Sequence, residues 1–177
     1  MAQSALVVRV PEAEPWVHAL REQFDPSAKQ GVPAHITVLH PFMSPELVSE
    51  RVLAGIRHTL SQMVSFDFQL SKIGRFPGVA YLAPEPATPF IALTNCLAEC
   101  FPEYPPYGGQ HQGVVPHLTV AHGSPEQAGK AEAELLLELK TRGGIRGACR
   151  EVVLLENSSG LWREMYAFGL SPGNHVG

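Results

Sequence analysis

One short pattern occurs twice in this chain and constrains its fold more than any other feature. His35-Ile36-Thr37-Val38 and His117-Leu118-Thr119-Val120 both read His, apolar, Thr, Val. Each reaches a second histidine five residues after the first, His40 and His122, and then Ser-Pro-Glu, at Ser44-Pro45-Glu46 and Ser124-Pro125-Glu126. At ordinary composition a given histidine would open His-apolar-Thr-apolar on the order of once in a hundred times. Two such openings among eight histidines would be roughly a one-in-a-thousand coincidence. Composition alone does not explain the repeat.

The surroundings of the motifs repeat as well. Leu6 to Val10 is a short β-rich run closed by Pro11, and Trp16, Leu20 and Phe24 then recur at helical spacing. A loop from Asp25 to Ala34, with Pro26, Gly31 and Pro33, leads into the first motif strand. Ser44 as N-cap with Pro45 at the first helical position predicts a helix carrying Leu47, Val48, Val52, Ile56 and Leu60 inward. Phe66 to Leu70 alternates with period two, breaks at Gly74 to Gly78 and resumes at Val79, which predicts a hairpin.

Ala83-Pro84-Glu85 and the helix that follows it to about Phe101 then resemble Val10-Pro11-Glu12 and the first helix. The long loop from Pro102 to Pro116 is of the kind that covers a site. Beyond the second motif come a helix capped by Ser124 and ended by Gly143-Gly144, then a hairpin from Val152 to Leu170. The expectation is one domain over residues 1–177, built from two diverged copies at about 6–78 and 79–171. Its class is α+β: bilobal, with two antiparallel sheets around a central groove and helices on the outer faces.

Charge and cysteines narrow the function. A net charge of −4 and a pI near 6.0 argue against wrapping long nucleic acid, which needs many lysine and arginine contacts to phosphate. A single phosphodiester needs only a local cleft. The three cysteines are an odd number, and Cys96 and Cys100 stand four apart in a helical pattern, so buried reduced thiols and a cytoplasmic location are expected. Met1 to Val10 has no basic segment followed by a long apolar run, and no stretch has the length of a membrane helix. No membrane partner is expected, and a monomer is.

On a strand, residues i and i+2 share a face about 6.5 to 7 Å apart, which pairs His35 with Thr37 and His117 with Thr119. Two imidazoles can take a proton from an attacking hydroxyl or water and give one to a leaving oxygen at neutral pH. Two threonine hydroxyls can donate to non-bridging phosphate oxygens. His40 and His122 lie at an odd offset from the first histidine of each motif, which predicts the opposite face or a place past the strand end. That offset also disfavours a four-histidine zinc site, so no metal or cofactor is expected.

The duplicated His-x-Thr-x, its equivalent contexts and the chain length resemble the two-histidine (2H) phosphoesterases, the family of bacterial 2′-5′ RNA ligase-like proteins and cyclic nucleotide phosphodiesterases. The resemblance spans essentially the whole chain. It implies metal-independent action on 2′-5′ linkages or on 2′,3′-cyclic or 1″,2″-cyclic phosphates of a nucleotide or RNA end. It implies too that His35, Thr37, His117 and Thr119 carry the chemistry. A non-catalytic nucleotide or RNA-end binding module and a metal-dependent hydrolase are the competing classes.

Candidate substrate contacts are Tyr81, Trp162 and Tyr166, which could stack a base, and Arg75 and Arg163, which flank the two hairpin turns at related places and could meet phosphate. Lys72 is a lesser candidate of the same kind. His18, His58, His111 and His175 have no partner motif and read as surface residues.

Overall fold

The computed structural model describes residues 1–111 and 113–173, so His175 lies outside the described residues. In chain order the elements are β1 (Ser4–Arg9), α1 (Glu14–Phe24), α2 (Pro26–Lys29), β2 (His35–Leu39), α3 (Glu50–Ser61), β3 (Phe66–Phe76), β4 (Val79–Glu85), α4 (Thr88–Cys100), β5 (Leu118–His122), α5 (Pro125–Arg142), β6 (Ile145–Cys149), β7 (Glu151–Glu156) and β8 (Arg163–Gly169). The strands form two four-stranded antiparallel sheets, ordered β2-β1-β7-β8 and β5-β4-β3-β6. The α+β class and the paired antiparallel sheets are as the sequence predicts.

Each sheet has a motif strand at its edge, and β2 and β5 lie beside one another. The first sheet is completed by β7 and β8 from the far end of the chain, whereas in the second sheet β3 joins β4 through a tight hairpin and β6 closes the other edge. Helices α3 and α4 pack on β8 and β2, while α1 and α5 pack on each other and on the second sheet. The main core lies between helices and sheets and joins Leu6, Ile36, Leu53 and Leu93 to Leu118 and Leu135. On the opposite face of the first sheet, Ala5, Val7, Val153 and Leu155 form a smaller apolar cluster with Val32, and Trp162 packs on its edge.

Four local expectations are corrected. Ser44 makes no capping bond; Pro45–Leu47 is a single 3-10 turn, Leu47 is exposed, and α3 starts at Ser49, whose Oγ accepts from the Val52 N–H. The loop from Asp25 contains α2, capped by the Asp25 side chain accepting from the Ser27 N–H. Strand β6 has a weak β signal because Gly147 and Ala148 sit in it; a Cβ on Gly147 would come within 2.5 Å of the Phe68 ring, so that ring fills the space of a side chain. Of the cysteines, Cys149 is buried, but Cys96 is half-buried and Cys100 exposed.

Candidate active site

The two motifs hold their histidines in the same way. His35 Nδ1 donates to the carbonyl of Pro33 at 2.8 Å, and His117 Nδ1 donates to the carbonyl of Val115 at 2.7 Å. Each acceptor lies two residues earlier, just before the strand. A carbonyl can only accept, so Nδ1 carries the proton in the neutral ring and Nε2 is left with a free lone pair. Both histidines and both threonines are half-buried, while Ile36, Val38, Leu118 and Val120 point into the core.

Burial pushes both imidazoles below their ordinary value, His35 from 6.5 to about 4 and His117 in the same direction; the carbonyl bonds oppose the shift. Near His35 the charge of Arg21 pushes further down, Asp25 pushes up, and a charge on His117 would push down. Arg21 and Asp25 form a buried ion pair at 3.1 Å, and Arg21 Nη2 also donates to the Val32 carbonyl at 2.9 Å, tying the loop that supplies Pro33 to α1.

Two cavities flank the motifs. One, of about 520 Å³, is lined by His117 with Phe76, Pro77, Val79, Tyr107 and His111, among others. The other, of about 280 Å³, is lined by His35 and Thr37 with Gln3, Ser27, Gln30 and Trp162, among others. Neither is lined by a lysine or arginine among the described residues. Thr119 is paired with Tyr81 across β4 and β5, and the His117 ring stands edge-on to Phe76 at 5.2 Å and tilted against Tyr81 at 5.4 Å. The loop 102–116 reaches this site: Tyr107 and His111 line the larger cavity, and the Tyr107 hydroxyl donates to the Val115 carbonyl at 3.3 Å.

His40 lies just past the end of β2, one of the two places its odd offset allows, yet it does not turn away from the motif residues. Along β1 and β2 the ladder pairs Val7 with Thr37 but Leu6 with Leu39, skipping Val38. That extra residue is a β-bulge, which resets the alternation. Val38 and Leu39 are both buried in the core, and His40 returns to the face of His35 and Thr37, where it lines the same cavity. The bulge recurs in β5: Tyr81 pairs with Thr119, Ala80 with Ala121 and Val79 with His122, skipping Val120. His122 therefore shares the Thr119 face too, although it is exposed and lines neither cavity. No single-residue propensity announces a bulge; the doubled apolar step Val38-Leu39, matched by Val120-Ala121, is the signal that could have shown it.

Of the residues expected to contact substrate, Tyr81 and Trp162 are brought to the motifs and three are not. Arg75 turns to α5, where it pairs with Glu132 at 2.5 Å and donates to the Pro125 carbonyl. Arg163 pairs with Glu156. Tyr166 lies opposite Leu154 and beside Phe168 on the edge strand β8, where it is exposed and lines neither cavity. Lys72 pairs with Glu85. His18 and His58 are exposed, as expected, whereas His111 is exposed yet borders the larger cavity. Arg9, which the sequence did not single out, stands opposite His35 and is engaged by Glu151 at 3.0 Å and Glu164 at 2.7 Å.

No helix among the described residues is long and apolar enough to cross a membrane. No curated protein matches the chain. Among solved structures, E. coli LigT complexed with NADP+ shares 16% identity at a TM-score of 0.58, covering 96% of this chain and 97% of that one. E. coli LigT complexed with 3′-AMP gives 16% and 0.57, with 96% and 98% covered. TT0787 of Thermus thermophilus gives 17% and 0.59, with 98% and 100% covered. These likenesses are of fold. The sequence itself matches the 2′-5′ RNA ligase superfamily over residues 10–161. The chain belongs to the 2′-5′ RNA ligase superfamily, the two-histidine phosphoesterases.

Proposed function

We propose that this protein is a metal-independent phosphodiesterase that opens a 2′,3′-cyclic or 2′-5′ phosphodiester of a nucleotide or RNA end. The observation that carries this reading is the matched pair of histidines, each with Nδ1 spent on a carbonyl and Nε2 free beside a threonine of the same strand face. His35, Thr37, His117 and Thr119 are assigned the chemistry. In this mechanism one neutral imidazole takes a proton from water at Nε2 as the water oxygen attacks phosphorus. The other, charged, gives its Nε2 proton to the ribose oxygen as the phosphorus–oxygen bond to it breaks. The threonine hydroxyls donate to the non-bridging oxygens. The same reading treats residues 6–78 and 79–171 as two diverged copies of one unit.

Likeness of fold to E. coli LigT, which has been crystallised with 3′-AMP and with ATP, supports a nucleotide-sized ligand. Trp162 is assigned a contact to its organic groups beside the first motif, and Tyr81, buried against His117, is assigned the support of that ring. The test is a panel of 2′,3′-cyclic nucleotides, 1″,2″-cyclic ADP-ribose phosphate and 2′-5′ oligonucleotides incubated with the protein in EDTA. Turnover of at least one of them is expected. Activity that appears only on adding zinc or manganese would replace this reading with the metal-dependent one, and binding without turnover would leave a binding module.

A further inference from the structure

We propose that His40 is a third histidine of the site, a positioning residue whose protonated ring binds a non-bridging oxygen of the substrate phosphate. The inference rests on the phosphodiester reading above and adds a residue that the motif pattern does not contain. Three observations lead to it. The bulge at Val38 brings His40 onto the face of His35 and Thr37, and all three line one cavity.

The His40 ring makes no hydrogen bond to any described residue, whereas His35 and His117 each have one nitrogen committed to a carbonyl. Its position is fixed by packing instead: the ring stands edge-on to Trp162 at 6.1 Å. Its backbone carbonyl accepts from the Tyr107 N–H at 3.0 Å, which ties the end of β2 to the loop over the other motif.

The third observation is one of charge. A phosphodiester carries a negative charge that needs a cationic donor in a partly dehydrated site, yet no lysine or arginine among the described residues lines either cavity. Arg9 is held by two carboxylates and Arg21 by Asp25. The polar groups facing the cavity with His40 are Gln3, Ser27, Gln30, Thr37 and His35, of which His35 is the one that titrates. In the proposed chemistry His35 must exchange protons with the reaction, so it cannot also serve as a standing cation. His40 can. Burial lowers its pKa in the free protein, and a bound anion would raise it again, so phosphate affinity should weaken as pH rises through the His40 titration.

The experiment uses sulfate, whose charge is constant from about pH 5 to 8, against chloride at equal ionic strength, with imidazole nitrogens followed by NMR. Sulfate is expected to raise the His40 pKa by about one unit and to leave the exposed His122 nearly unmoved. In kinetics, His40→Gln is expected to raise KM about tenfold, with a smaller fall in kcat, as for loss of one charge-assisted hydrogen bond. His40→Arg is expected to restore KM and flatten its dependence on pH. An unshifted His40 in saturating sulfate, or a His40→Gln variant with the wild-type KM at every pH, overturns the proposal. A shifted His40 in a protein that turns over no diester would sink the phosphodiesterase reading and leave the anion site standing; turnover with an unshifted His40 would do the reverse.

Discussion

Arg21 Nε lies 3.1 Å from the Asp25 carboxylate, and both side chains are buried below the loop whose Pro33 carbonyl orients His35. The pair is closed by further bonds, Arg21 to the Val32 carbonyl and Asp25 from the Ser27 hydroxyl and N–H. Removing one partner would leave a buried charge without its counterpart, which costs about 3–5 kcal/mol. Asp25→Ala should therefore lower the denaturant midpoint by that equivalent with an unchanged slope. A loss under about 1 kcal/mol would mean that water replaces the carboxylate.

Single histidine variants are expected to be as damaging as the proposed division of labour requires. His35→Ala and His117→Ala should each reduce kcat/KM by about 10²- to 10⁴-fold, and the double variant by far less than the product of the two. Multiplicative losses in steady-state assays on folded variants would show that the two rings do not act as a unit.

The pH profile of that reaction should be bell-shaped and displaced to the acid side. One ring must be neutral and the other charged, and burial lowers both pKa values, His35 to about 4. The limbs report the pair, and the maximum of kcat/KM should fall below about pH 6.5. A maximum above about pH 7.5 would contradict it.

Stability should follow the same shift with a defined sign. In the unfolded chain His35 binds a proton near pH 6.5, whereas in the fold it does so only near 4. Between those values the unfolded state holds more protons, so stability falls as pH falls from about 6.5 toward 4 and is unaffected by this group above that range. His35→Gln should flatten this part of a pH series of unfolding midpoints; an unchanged slope would assign the acid sensitivity elsewhere.

Gly74 tests the support of His117 at a distance from the proposed chemistry. A Cβ at Gly74 would lie 2.2 Å from Tyr81 Cζ, inside the ring that packs on both Phe76 and His117. Gly74→Ala should displace Tyr81 and lower kcat/KM by at least about tenfold, as expected when the support of a catalytic ring is disturbed. Wild-type kinetics in this variant would show that the Tyr81 ring moves aside without consequence for His117.

Much of this arrangement was legible because it was written twice. Repetition exposed the two motif strands, and Ser124 caps α5 as expected, with Gln127 closing a capping box. Ser44 looked equivalent, but its third residue is Leu47, which cannot reciprocate, and the helix waits for Ser49. Strand β6 escaped notice because its glycine is covered by a distant phenylalanine, Phe68, which local propensity cannot see. His40 was misplaced because alternation was carried through Val38 without a break, whereas the bulge depends on pairing with Leu6 and Val7 some thirty residues earlier. Arg75 and Arg163 illustrate another limit: their charges are met by Glu132 and Glu156, partners that only the folded chain brings near.

The junction between the two sheets bears on how this molecule could move. A single residue, Arg150, separates β6 of one sheet from β7 of the other; its guanidinium holds the Phe66 carbonyl and Asp67, and its carbonyl accepts from the Leu170 N–H. Swinging the two sheets apart as rigid bodies would strain that junction and open the core that joins Leu6 and Ile36 to Leu118. Clamshell opening is thereby disfavoured, and the small adjustments that admit and release a ligand fall to the loop 102–116 and to side chains at the rim, Trp162 among them.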